Sequence, residues 1–183
     1  MPHDHAMHPY FHDDHPHILD EMFYKDIMAE INPNNLPYRD YAPLIPYVKY
    51  VGTKQNIMKY FVPNTYNGWN TYIQFMEWNE QVADESLTAP EAARLLLWSG
   101  NIRVHCPCPA FKFWGSQYIL TQLDSAIIPE NRYPHIRNPS LKGIVCKHLN
   151  RSIKVLGFHL GDMASAIKEQ RRNGSAEPTT VPS

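Results

Sequence analysis

Two short motifs hold the residues best suited to chemistry, Cys106-Pro107-Cys108 and Cys146-Lys147-His148. They contain all three cysteines of the 183-residue chain and one of its ten histidines. Four thiolate and imidazole donors in the order Cys-x-Cys … Cys-x-His suit the tetrahedral shell of Zn²⁺, with bonds of about 2.3 Å to sulfur and about 2.0–2.1 Å to nitrogen. A shell closed by four protein ligands leaves no position for a substrate or an activated water. The pattern therefore points to structural rather than catalytic zinc. The alternative is three unrelated cysteines, buried as small hydrophobes, and a surface histidine.

The surroundings favour the metal. Pro107 and Pro109 flank the first pair. Proline fixes φ and removes an N–H, so 106–109 reads as a rigid knuckle. Asn101-Ile102-Arg103-Val104-His105 before it alternates polar and apolar residues, as a half-buried strand does. Cys146 and His148 lead into Leu149, Ile153, Val155 and Leu156, which fit a helix. A disulfide explains the cysteines poorly, because three is odd and a Cys106–Cys108 bridge would close a strained ring. Histidines and aspartates occupy the start, where a secretory signal would place a basic and then an apolar stretch. Clustered Cys and His in a reducing compartment favour metal.

The order Cys-x-Cys … Cys-x-His resembles the SWIM-type zinc finger. That resemblance implies a short β-hairpin carrying the first pair and a helix carrying the second, with Cys106, Cys108, Cys146 and His148 as zinc ligands. It also implies DNA or protein contacts and no catalysis by the finger itself. The 37 residues between Cys108 and Cys146 exceed the usual SWIM spacer. They include a helix-like stretch of their own, Tyr118 to Ile127. A narrower resemblance rests on Arg94-Leu95-Leu96-Leu97-Trp98, Cys106-Pro107-Cys108-Pro109, Ile136-Arg137-Asn138-Pro139 and Gly143-Ile144-Val145-Cys146-Lys147-His148-Leu149. These words are similar to those of a group of tailed-bacteriophage proteins with a SWIM-like finger. They imply synthesis in the host cytoplasm, a place in the virion, and several copies packed against other phage structural proteins.

The elements that must position these residues are short. Sixteen prolines are spread along the chain, and proline interrupts helix interiors and central strands alike. The expected class is α+β: a small zinc-stapled finger, a β-hairpin knuckle plus a helix, packed on short strands and helices, with extended proline-rich arms. Residues 1–46 read as a His/Asp- and Pro-rich arm. Residues 47–100 read as a β-rich region plus a capped helix, 101–172 as the finger region with a helical insert, and 173–183 as a disordered tail. Six histidines crowd 1–17, and Ile18 to Ile31 can form a short amphipathic helix. Strands are expected around Tyr47–Val51, Ile57–Val62 and Trp69–Trp78. Thr88-Ala89-Pro90-Glu91 is a capping box opening a helix that Gly100 can end in a left-handed conformation. Phe111, Phe113, Trp114, Tyr118, Ile119, Leu120 and Leu123 are expected in the core around the finger. A last helix runs from Gly161-Asp162-Met163-Ala164 to about Arg172.

Net charge is −1, yet it is unevenly placed. Residues 1–46 carry eight acidic residues against Lys25 and Arg39, whereas 132–172 carry nine basic residues against Asp162 and Glu169. Arg132, Arg137, Lys142, Lys147, Arg151 and Lys154 are the candidate contacts to nucleic acid or an acidic partner. The alternative is a solvated face, or neutralisation by the acidic arm. No apolar run reaches the length of about 18 residues that a membrane span needs. No Gly-x-Ser-x-Gly, phosphate-binding glycine loop, His-Glu-x-x-His or His-x-Glu deaminase motif occurs. His105 reads as a strand-edge histidine, and His159 can pair with Asp162. The leading expectation is a non-enzymatic zinc-binding virion component or assembly factor. A nucleic-acid-binding regulator is the alternative, and a metal-dependent nuclease using the amino-terminal His/Asp tract a third.

Overall fold

A computed structural model of the protein describes residues 45–64 and 67–174. The helix expected at 18–31, the histidine tract and most of the arm and tail lie outside them. Strands β1 (Lys49–Lys54), β2 (Ile57–Pro63), β3 (Gly68–Phe75) and β4 (Ile102–His105) form one antiparallel sheet in the order β1-β2-β3-β4. Helices α1 (Trp78–Ala83) and α2 (Ala89–Ser99) lie between β3 and β4 in the chain. After β4 come α3 (Pro109–Phe113), α4 (Ser116–Gln122), α5 (Lys147–Val155), a 3₁₀ turn at Leu156–His159, and α6 (Leu160–Asn173).

The sheet follows from period-two alternation. Met58, Tyr60 and Val62 of β2, Thr71, Ile73 and Phe75 of β3, and Ile102 and Val104 of β4 are all buried. Registers Met58↔Ile73, Ile73↔Val104 and Phe75↔Ile102 set buried residues opposite one another. Helix α5 covers this face at β2 and β3, and α6 packs on β1, α1 and α2. The β1–β2 turn falls at Gln55-Asn56, where Gln55 is left-handed (φ 53°), one step beyond the expected Gly52–Gln55 link. β3 stops at Phe75, short of Trp78. Glu77 instead accepts from the Asn101 amide at 2.8 Å and its side chain at 2.7 Å, and Trp78 starts α1 as a fully buried residue.

The capping box of α2 forms as expected. The Thr88 N–H donates to Glu91 Oε2 at 2.8 Å, and the Glu91 N–H donates back to Thr88 Oγ1 at 3.4 Å. Gly100 ends that helix in an extended rather than a left-handed conformation, with φ −85° and ψ 146°. Glycine is needed for a different reason, because a Cβ there would lie 2.6 Å from the Leu96 carbonyl oxygen. The helix expected to reach Ile127 ends at Gln122. Asp124 turns left-handed (φ 47°), and the chain then runs beside β4. The Val104 N–H donates to the Ser125 carbonyl at 2.8 Å, and the Ile127 N–H to that of Val104 at 3.1 Å. The free edge of β4 captures this segment, since its backbone groups need partners.

Candidate metal centre

The two-residue spacing of Cys106 and Cys108 matches the strand period. Ile102, Val104, Cys106 and Cys108 are buried while Pro107 between the cysteines is exposed. Cys108 is also the N-cap of α3, and its sulfur accepts from the Phe111 N–H at 3.3 Å. Cys146 is the N-cap of α5, which sets His148 in that helix's first turn. Two cysteines thus sit at helix N-termini, where backbone N–H groups and the helix dipole favour a thiolate. Among the described residues the knuckle has no hairpin of its own. β4 pairs with β3, and α1 and α2 intervene in sequence.

The loop before Cys146 is tightly organised. Asn138 donates from its side chain to the carbonyls of Trp114 and Lys142, both at 2.9 Å, and its Oδ1 accepts from the Lys142 N–H at 2.9 Å. Leu141 and Gly143 take left-handed backbones, with φ 46° and 82°. Leu141, Ile144 and Val145 are buried and carry the chain inward to Cys146.

These elements bring Cys106, Cys108, Cys146 and His148 together, all buried, with ligand atoms within 4.8 Å of one another. Cys106 Sγ lies 4.0 Å from His148 Nδ1, close to the edge of about 3.6–3.8 Å that the bond lengths give a tetrahedral zinc shell. His148 Nε2 is buried without a hydrogen-bond partner. The Nδ1 nitrogen faces three free, buried cysteine sulfurs. The cage is therefore compatible with a metal ion such as zinc.

Electrostatics agree. Hydrogen bonds from the Cys106 and Cys146 side chains hold the Cys108 thiol far below its ordinary range, against the effect of burial. Burial pushes the Cys106 and Cys146 thiols well above theirs. Three thiolates gathered in a dry site need a cation to balance them. His105 is not among the four. Burial lowers its pKa, and its ring lies against Phe111 and Tyr72.

The candidate basic contacts fall into two groups. Lys147, Arg151 and Lys154 sit at i, i+4 and i+7 along α5, all half-buried, and Arg151 reaches the Ile45 carbonyl at 3.5 Å. Arg132, Arg137 and Lys142 are exposed on the 128–142 segment. Arg171, counted with the same basic region, is committed elsewhere. Its guanidinium donates to the carbonyls of Gln81, Val82, Asp84 and Leu87 at 2.7–3.0 Å. Phe113, expected in the core, is 58% exposed, whereas Phe111, Ile119, Leu120 and Leu123 are buried. His159 does pair with Asp162, at 2.8 Å. No family model, curated protein or solved structure matches the chain. Among the described residues no helix is long and apolar enough to cross a membrane.

Proposed function

We propose that Cys106, Cys108, Cys146 and His148 hold one structural Zn²⁺ and that the protein is a non-enzymatic virion component or assembly factor of a tailed bacteriophage. The observation that carries the metal reading is the buried three-cysteine, one-histidine cage, with Nδ1 of His148 turned toward the sulfurs. Four protein donors would complete a tetrahedral shell, so the ion would staple β4 to α5 rather than bind substrate. The phage reading rests on the sequence words around the cage, which resemble those of phage proteins with a SWIM-like finger. It gives the protein a role through protein–protein contacts, in several copies, beside other phage structural proteins.

Two experiments test the two halves separately. Inductively coupled plasma mass spectrometry of the purified chain should find one zinc per chain. Peptide mass spectrometry of washed particles should find the chain at fixed stoichiometry, and its absence there would remove the virion role while leaving the metal reading intact.

A further inference from the structure

A groove of about 370 Å³ opens between α3, the start of α4 and the 128–142 segment. That is the size of a small-ligand site. It is lined on one side by Lys112, Phe113 and Tyr118 and on the other by Tyr133, Ile136 and Arg137. Tyr118 and Tyr133 are half-buried against the core, and two apolar side chains of the lining stand out from it. Phe113 is 58% exposed and Ile136 is 92% exposed. Tyr118 and Tyr133 meet edge to face at 5.4 Å, and His135 lies 4.7 Å from Tyr133.

The charge of the lining is positive. Lys112, Arg132 and Arg137 face a single carboxylate, Glu130. Arg132 holds that carboxylate through Nε at 3.0 Å and a second nitrogen at 2.6 Å. Among the described residues Lys112 and Arg137 form no ion pair. Lys112, whose Nζ lies 5.7 Å from the centre of the Phe113 ring, and Arg137 therefore have no carboxylate partner that would compete with an anionic ligand.

Hydrogen bonds brace the wall of the groove. The Gln117 side chain donates to the Ile128 carbonyl at 2.8 Å, and the Glu130 N–H donates to Thr121 Oγ1 at 2.8 Å. The Tyr133 hydroxyl donates to the Pro139 carbonyl at 2.6 Å, and Asn138 clamps the far end. Gly115, with φ 96°, lets the segment close on α4, because a Cβ there would lie 2.6 Å from Pro134 Cγ. A preformed surface spends little binding energy on ordering itself.

We propose that this groove binds single-stranded nucleic acid, with a base against the Phe113, Tyr118 and Tyr133 rings and flanking phosphates on Lys112 and Arg137. Aromatic faces beside cations are the recurrent solution for strands whose bases are unstacked. A duplex hides the faces of its bases and cannot use the rings. An acidic peptide would use the cations but leave the exposed Phe113 ring without a role. None of the four cage residues lines the groove.

The test is fluorescence anisotropy on the full chain with labelled oligodeoxyuridylate and oligouridylate of about 12 nucleotides, within the span such surfaces cover. A duplex of equal length and an oligoglutamate peptide are the competing probes. Both strands should bind in preference to the duplex and the peptide, and the tighter strand identifies the sugar recognised. Phe113→Ala should weaken binding about five- to a hundredfold. Arg137→Ala should weaken it and reduce the salt slope by about 0.7, one phosphate's worth on a single strand. Lys112→Ala serves as a second exposed variant, and circular dichroism checks that each variant is folded. Three results would overturn the proposal: no saturable binding of either strand at low salt, binding indifferent to these folded variants, or duplex or oligoglutamate bound as tightly as the strands.

Discussion

Each ligand of the proposed cage is placed by a local rule. Strand alternation turns Cys106 and Cys108 inward, and Cys146 and His148 share one helix start. Cys146 is fully buried, so Cys146→Ser removes a ligand that no neighbour among the described residues replaces. His105 stands outside the cage, and His105→Ala should retain metal in the same assay where Cys146→Ser loses it. Glu130 gives a pH prediction. Hydrogen bonds from Arg132 hold its carboxyl down to about 2, below the usual unfolded value of about 4.3. A depressed carboxyl adds stability that is full above the unfolded value and lost as pH falls through the folded one. The Glu130–Arg132 clamp should thus persist at pH 4 and open only near 2, which a ¹³C NMR titration of the Glu130 side chain will show. That these four residues gather in one place was legible in their types and spacing. The groove could not, because exposure of Phe113 depends on how residues 128–142 fold back on α4.

At the level of elements, the connections decide more than propensity does. Arg171 ties the end of α6 to the end of α1 and the following loop through four carbonyls. Arg171→Ala should lower stability by more than about 1.5 kcal/mol, since hydrogen bonds to charged groups are worth about 1.5–3 kcal/mol each. Arg171→Lys should recover little, because an ammonium cannot span a planar fork. Urea denaturation of both variants checks this. Thr88→Ala removes the cap of α2 and should cost about 1 kcal/mol in the same assay. The capping box, the four strands and the last helix were legible in the sequence because their signals are local. The end of α4 was not, since β4 captures residues 125–127 by hydrogen bonds that no periodicity encodes. Nor was the commitment of Arg171, which looks like any other basic residue until α6 lies against α1.

For the whole molecule, the cage joins the edge of the sheet to α5 across 37 intervening residues, and those residues build the groove. A shared metal would close this long loop, coupling sheet, insert and carboxy-terminal helices. The class α+β was expected, and an antiparallel sheet with helices is what the chain forms. That the knuckle extends a four-stranded sheet was not legible, because the pairing of β4 with β3 skips two helices. Metal binding in zinc-finger peptides has apparent values of about 10–16 kcal/mol, comparable to the whole net stability of a domain at about 5–15 kcal/mol. The most direct test is therefore zinc content and melting temperature measured together on the wild type and Cys146→Ser. The account predicts one zinc per wild-type chain, and in the variant loss of that zinc with a collapse of the thermal transition. A Cys146→Ser protein with unchanged zinc and unchanged melting temperature would contradict it.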